Sequence, residues 1–510
     1  MYRKPDPQST VPENFVLPFE GKLSEDNRWV IMASLIPWEE FEEEYAAKFS
    51  TEKGAPAKPF RMALGALIIH EKVRTSDRET VEQIKENPYL QYFLGLLSYS
   101  NEAPFDASML VHFRQRISLD FINRVNERMV MKEEEMLNSP EEVKKPDEEV
   151  KTEVEVKTEA SESKNKGKLI LDATCAPADI HYPTDLGILN EAREKTEEII
   201  DSLYEPIKAQ LDEKPRTYRE KARKDFLDVS KKRRPSGKQR KKAIKKQLQY
   251  IKRNLGHIDQ LIAAGASLSS LSTRQYKILL VVAEVYRQQL WMYENKQQRI
   301  DDRIVSLSQP HVRPIVRGKA GKPVEFGAKL SASYINGYVF LDKLSWNNFN
   351  ESGDLKEQIE EFKRTRGCYP ESVHVDKIYR TKDNRNYCKE RGIRMSGPPL
   401  GRPPANISKE KKKQAREDES FRNAIEGKFG QAKRRFSLSR VMAKLANTAE
   451  TAIAVTFLVI NLSTLLRQTF CLFLCFFQER AYFSPFSASG ISKNYISTNF
   501  AGFNLSFKLA

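Results

Sequence analysis

Cysteine is scarce and scattered. The five thiols (Cys175, Cys368, Cys388, Cys471 and Cys475) are odd in number, and no two are spaced as Cys-x2-Cys. This excludes a zinc ribbon and a disulfide-stapled scaffold, and it makes a reducing cytoplasm the expected compartment. The N-terminal stretch MYRKPDPQSTVPENFVLPF lacks an apolar core, so no secretory signal is expected. Negative charge is also in short supply: 69 Asp and Glu face 85 Lys and Arg, a net charge of +16. With 40% hydrophobic residues among 510, the chain is not a disordered polyelectrolyte and has ample length for a sizeable core. The positive surplus points to a polyanionic partner, nucleic acid before an anionic membrane surface.

One long apolar run exists, 452–477 (AIAVTFLVINLSTLLRQTFCLFLCFF), and Arg467 and Gln468 interrupt it. A central arginine in a membrane span costs at least ~2.5 kcal/mol. The segment 448–466 is therefore expected to be a core helix covering a sheet, with no membrane partner. Residues 467–510 read as an atypical C-terminal tail.

Residues 1–130 have helical periodicity. Phe60–Glu71 is apolar at helical spacing, Ser76 with Glu79 is a capping-box pattern, and Asn87-Pro88 is a break. Asp106–Arg116 is a further amphipathic stretch. Short helices joined by tight turns fit a helix-turn-helix-like DNA reader, and they fit a plain helical bundle as well. Residues 131–166 are rich in Glu and Lys and have no aromatic residue, so a flexible linker is expected.

Beyond the linker the period changes. Lys168–Asp172 (KLILD) reads as a short buried strand closing on a carboxylate. A long helical stretch follows at about 188–300. Its window 214–253 holds 18 Lys and Arg against three acids (Glu220, Asp225 and Asp228), a local charge of +15. Like charge this dense calls for a counter-polyanion, and Lys231, Lys232, Arg233 and Arg234 are its centre. The alternative is an ordinary solvated helix face. Strands are then expected at 323–333 and 338–345 around an Asn336-Gly337 turn, followed by a helix at about 354–366 and a strand at Val373–Asp376. A short helix at about 381–391, a strand at 393–396 and the loop GPPLGRPP (397–404) come next, then helices at about 420–436 and 448–466.

Without the helical insertion this order is β-β-β-α-β-α-β-α, the order of the ribonuclease H-like fold. Asp172 and Asp376 would then close neighbouring parallel strands, at a preferred place for sites in α/β sheets, within reach of Glu426 on the late helix. Three converging carboxylates require cations between them. Hard oxygen ligands suit two Mg²⁺ or Mn²⁺ ions, which serve phosphodiester chemistry. Any one of these acids alone reads equally as a cap or a solvated residue. Asp179 and Asp185 are rivals for the first position, but neither closes a strand.

Four blocks resemble the bacterial insertion-sequence DDE transposases, the large group that includes insertion-sequence families four and five. They are LILDATCAPADIHYPTDLGILN (169–190), the segment 301–346, ESVHVDKIYRTKDNRNYCKERGIRMSGPPLGRPP (371–404) and RNAIEGKFGQAKRRFSLSR (422–440). Residues 55–120 resemble the family's helical N-terminal domain. The resemblance implies an all-α N-terminal DNA-binding domain (1–130) and a ribonuclease H-like α/β catalytic domain (167–466) with a large helical insertion after its first strand. It assigns Asp172, Asp376 and Glu426 as catalytic and metal-holding acids. Their spacings are 376 − 172 = 204 and 426 − 376 = 50. The family signature Tyr-x2-Arg-x3-Glu-x6-Lys is matched by Arg422, Glu426 and Lys433, but its tyrosine position holds Glu419. DNA contacts are expected from Arg422 and Lys433, from Arg313, Arg317 and Lys319 in a loop entering the second strand, and from Arg380 and Arg402. The implied activity is metal-dependent cleavage and strand transfer at terminal inverted repeats. The implied partners are those repeats, target DNA and a second copy of the chain in a synaptic homodimer, in the cytoplasm at the nucleoid. A nuclease that cuts without joining, and an inactive DNA-binding relic, are the alternatives.

Overall fold

The structure is a computed structural model, and it describes residues 15–50, 54, 56–138, 165–319, 322–398 and 408–482. Its centre is a mixed sheet of β1 (Lys168–Pro177), β2 (Arg313–Lys319), β3 (Lys322–Ile335), β4 (Tyr338–Ser345), β5 (Ser372–His374) and β6 (Arg394–Ser396). The order is β2-β3-β1-β5-β6, with β4 beside the second half of β3. β1 is antiparallel to β3 and parallel to β5, and β5 is parallel to β6. Asn336 and Gly337 have φ of 50° and 97°, the left-handed pair that a two-residue I′ hairpin between β3 and β4 demands.

Three details differ from the sequence reading. β1 does not end at Asp172 but continues to Pro177, paired with β3 from Ile170↔Tyr334 to Pro177↔Gly327. Its small residues fit this tight pairing: a side chain at Gly327 would collide with the Ala176 carbonyl. The segment holding Arg313, Arg317 and Lys319 is strand β2 and not a loop. Its Pro314 argues against a central strand, but β2 lies at the edge, where proline is tolerated. β5 ends at His374, so Asp376 lies just past the strand.

The N-terminal helices are α1 (Arg28–Leu35), α2 (Trp38–Ala46), α3 (Phe60–Val73), α4 (Asp77–Glu86), α5 (Pro88–Phe93), α6 (Met109–Arg116) and α7 (Leu119–Asn138). Edge-to-face contacts among Trp29, Trp38, Phe41, Phe60, Phe93 and Phe121 build their core. The Ser76 side chain accepts from the Glu79 N–H, and Asn87 ends α4 and caps α5. Helix α7 runs eight residues past 130; residues 139–164, most of the expected linker, lie outside the described residues.

Between β1 and β2 come α8 (Asp185–Tyr204), α9 (Arg219–Ser230), α10 (Gly237–Ala263) and α11 (Thr273–Glu294). Side chains of Thr184, Ser236 and Ser272 cap three of them. Their apolar stripes, among them Ile188, Leu189, Leu248, Ile251, Val282 and Val285, close into an aliphatic core.

Helices α12 (Leu355–Arg366) and α13 (Lys382–Glu390) cover one face of the sheet, burying Leu169, Leu171, Val373 and Val375. Strand alternation sends Ile170, Asp172 and His374 to the opposite face. There α14 (Lys409–Arg435) packs, with Phe421 against both His374 and Lys168.

The last helix, α15 (Ala446–Tyr482), begins in the interior. Asn461 accepts from Val339 N (2.9 Å) and donates to Val339 O (2.8 Å) and Asn126 Oδ1 (3.1 Å). The Thr451 hydroxyl lies 2.9 Å from Arg114 O, and that of Thr456 donates to Glu71 (2.7 Å). These buried bonds, each a net ~1 kcal/mol, tie α15 to α3, α6, α7 and β4. Among the described residues α15 alone is long and apolar enough to cross a membrane, and 78% of its most apolar window is buried in protein. The chain divides at residue 465 into two units, and the sheet and all other helices belong to the first.

Candidate active site

Asp172 sits in the middle of β1, half-buried, with Oδ1 accepting from the Ala173 N–H at 2.8 Å. Its carboxyl is pushed up to about 6, chiefly by burial and further by the negative charges of Glu351 and Glu426, with Arg422 opposing. The third expected acid therefore lies within electrostatic reach of the first.

Asp376 follows β5 in extended conformation (φ −77°, ψ 168°) and caps a 3-10 turn, Lys377–Tyr379, accepting from the Lys377 N–H at 2.6 Å. The register of β1 on β5 pairs Lys168 with Ser372 and Ile170 with His374, an offset of 372 − 168 = 204. Asp376 and Asp172 have the same offset, 376 − 172 = 204. The two acids thus stand level, one at mid-strand in β1 and the other on the continuation of β5. Val375 N still donates to Ser396 O at 3.1 Å, so the chain stays tied to the sheet up to Asp376. Gly397 follows at φ 157°, packed against the Val375 carbonyl where any side chain would clash.

Glu426 lies on the exposed side of α14 and is 54% exposed. Its Oε1 accepts from Arg422 Nη1 at 3.0 Å, while Arg422 Nη2 donates to Glu419 Oε1 at 2.8 Å. Glu419, at the signature's tyrosine position, is therefore a second carboxylate clamping Arg422. Hydrogen bonding to Glu419 first, then the charges of Glu419 and Glu426, raises the arginine's pKa further. Asp418, one residue earlier, is buried and anchors α14 to the sheet through Arg394 (2.6 and 3.0 Å) and Ser396 (2.7 Å).

The rivals are held in structural ion pairs. Asp179 pairs with Arg440, and Asp185 with Arg303 and with Gln289 Nε2 at 3.0 Å. Among the described residues no three His, Cys, Asp or Glu side chains are grouped to hold one metal ion. With Glu426 drawn onto Arg422, the acids are neighbours but not a closed ligand set.

The basic residues divide sharply. Lys231, Lys232, Arg233 and Arg234 form an exposed turn between α9 and α10. Arg313 is half-buried and spends its guanidinium on the carbonyls of Pro310 and Val312. Arg317 and Lys319 are on β2. Arg380 clasps the carbonyls of Gly397 (2.7 Å) and Pro398 (2.6 Å), holding the start of the Gly/Pro loop. Lys433 is half-buried on α14, and Arg402 lies outside the described residues.

Sequence reasoning missed Glu351. It opens a 3-10 turn after β4 and pairs with Lys329 Nζ at 2.9 Å. The available signal was Lys329 itself, a lysine inside the apolar run of β3, which must find a counter-ion when buried.

Residues 373–463 match the Transposase DDE domain, and residues 17–116 match the Transposase domain (DUF772). This similarity to transposase domains covers 91 and 100 of the 510 residues respectively. The DDE match spans Asp376 and Glu426; Asp172, the basic insertion and the other strands up to β4 fall in neither match. The chain is also 39% identical over 88 residues to a protein of Rhizobium meliloti described as an uncharacterized protein, ORF8 in the nfe locus. That similarity covers 17% of this chain and 42% of the relative, so the chain spans about two fifths of the relative's length. No solved structure matches the chain.

Proposed function

We propose that this protein is a DNA transposase that binds the terminal inverted repeats of an insertion sequence and catalyses strand cleavage and strand transfer, with Asp172, Asp376 and Glu426 as its acids. The observation that carries the reading is the shared 204-residue offset, which sets two acids level on neighbouring parallel chain segments. The strand order supports a ribonuclease H-like core, interrupted after β1 by the helical insertion.

The donor set is chemically suited to a divalent cation: three carboxylates are the hard oxygen ligands that Mg²⁺ and Mn²⁺ prefer. The Asp172 carboxyl is raised chiefly by burial, and the nearby negative charges of Glu351 and Glu426, which a cation would offset, add to it. Two such ions, when bound, activate an attacking water or 3′-hydroxyl and stabilise the leaving oxygen. The chain's own part begins with Asp172, whose carboxyl, raised to about 6, must be ionised to hold a cation. Arg422 lets go of Glu426 and turns its planar fork to a phosphate, freeing Glu426 to join the other acids. Lys433 is seven residues along the same helix and neutralises the next phosphate. The turn 231–234 holds flanking backbone on the insertion, and the helices before residue 130 contribute further DNA contacts. A synaptic homodimer at the nucleoid would bring two element ends together.

The test is nicking and joining of DNA carrying the repeats that flank the gene, with Mg²⁺ or Mn²⁺, beside a gel shift. Asp376→Asn should lower cleavage by at least about 100-fold, the scale of losing one transition-state charge stabiliser, and leave DNA binding intact. A folded Asp376→Asn protein that nicks near the wild-type rate would overturn the assignment. Hydrolysis without joined products would make the protein a nuclease instead.

A further inference from the structure

A second cluster of cations lies away from the 231–234 turn, where the N-terminal helices meet the end of α14. Three elements supply it: Arg28 opens α1, Lys72 and Arg74 end α3, and Arg434 and Arg435 end α14. The assembly is built and not accidental. Arg74 is in the left-handed conformation at the end of α3 (φ 61°), and its Nη1 donates to Arg434 O at 3.1 Å. Lys72 Nζ donates to Ser463 Oγ at 2.6 Å, which fixes the amine beside α15. Burial first, then the charges of Arg28 and Arg435, lowers the Lys72 pKa to about 8.

Like charges brought this close repel unless something negative joins them. The nearby Glu71 is committed elsewhere: it accepts from Ser437 N and Oγ and from Thr456. Among the described residues no carboxylate pairs with Arg28, Lys72, Arg74, Arg434 or Arg435. The end of α14 tolerates the cations because a helix C-terminus favours positive charge, but that leaves them unneutralised. Arg28, Arg74, Arg434 and Arg435 are exposed to an incoming ligand.

Resting on the transposase reading, we infer that this junction is a composite backbone-phosphate site, at which the N-terminal helices and the acid-bearing helix grip the same stretch of duplex DNA. From Glu426 to Arg435 is 435 − 426 = 9 residues, ~13 Å along the helix and about four nucleotides of duplex axis. Nine residues are also about two and a half turns, which puts Arg435 on the far side of α14 from Glu426, so a duplex seated at the acids would meet the cluster by crossing the end of the helix. The cluster has no base-reading geometry, so it contacts phosphates and sets register without reading sequence.

The test is fluorescence anisotropy of the full chain with a random-sequence duplex over a range of salt. Arg28→Ala with Arg435→Ala should flatten the log–log salt slope by about 2 units, at ~0.9 per phosphate contact. The charge-keeping pair Arg28→Lys with Arg435→Lys should retain the slope, which separates charge from folding. A slope unchanged in the alanine pair, in a protein that binds DNA and whose slope responds to neutralising 231–234, overturns this inference alone. A wild-type chain that does not bind duplex DNA overturns the transposase reading and this inference with it.

Discussion

Two helical regions of this chain treat positive charge in opposite ways. In the N-terminal region, Arg28 and Arg74 apart, several arginines are structural. Arg114 is bidentate to Asp77 (2.7 and 3.0 Å), Arg124 grips Glu44, Arg128 grips Glu40, and Arg61 donates to the carbonyls of Tyr92 and Phe93. In the insertion three of the 18 cations of 214–253 have ion pairs among the described residues: Lys214, Arg219 and Lys246. The turn 231–234 has none. The comparison teaches that basic content alone does not mark a DNA surface. A cation already spent on a carboxylate has little left for a phosphate, whereas an exposed unpaired cluster carries a standing electrostatic demand.

The largest effect should come from breaking the paired side. Arg114→Ala leaves Asp77 without its bidentate partner in a mostly buried setting, and stability should fall by about 2–3 kcal/mol. Chemical denaturation measures the loss. The salt slope of DNA binding should not move, and a reduced slope would show that Arg114 is a DNA contact after all.

The converse experiment neutralises Lys231, Lys232, Arg233 and Arg234 together. Stability should stay within ~0.5 kcal/mol, while the salt slope flattens by roughly 3–4 units, similarly for every DNA sequence. Loss of discrimination between repeat and random DNA, at constant slope, would instead make the turn a sequence reader.

A smaller effect sharpens the contrast from the acidic side. The pKa of Asp172 is raised to about 6 from an ordinary 3.8, so the fold holds its proton more tightly than the unfolded chain does. The stability this contributes is fully present below about pH 4 and is lost as pH rises through about 6. On the proposed reading, cation binding at the acids would compete with that same proton. Mn²⁺ affinity, read by thermal shift, should therefore weaken by up to about tenfold per pH unit below 6. Asp172→Asn should abolish this dependence, and a metal response indifferent to pH would remove Asp172 from the ligand set.

Much of the fold was legible because local rules and tertiary demands agree. The Asn336-Gly337 hairpin, the cap at Ser76, the break at Asn87-Pro88 and the apolar periodicity of α3 and α10 each state their structure within a few residues. Where the sequence reading fell short, the deciding partner is distant. β2 carries a proline and two charged residues beyond its first, and only its edge position beside β3 makes it a strand. β1 runs on through Ala173–Pro177 because β3 offers small residues opposite, Gly327 among them. α14 begins eleven residues earlier than its apolar pattern announces, since Lys409–Glu419 is mostly solvated and Asp418 alone of that stretch is buried.

The same division holds for the candidate site. Sequence by itself determined which residue types could carry the chemistry, their order along the chain and the excess of positive charge, because these are properties of composition and of periods shorter than one element. Tertiary structure alone decided which charges remain free. It set Asp376 level with Asp172 through a strand register spanning 204 residues, brought Glu351 to Lys329 and turned Glu426 onto Arg422. It also left the cations at the α3–α14 junction without a carboxylate among the described residues. Pairing and burial depend on what lies within a few ångströms in space, and no local pattern of residues encodes that distance.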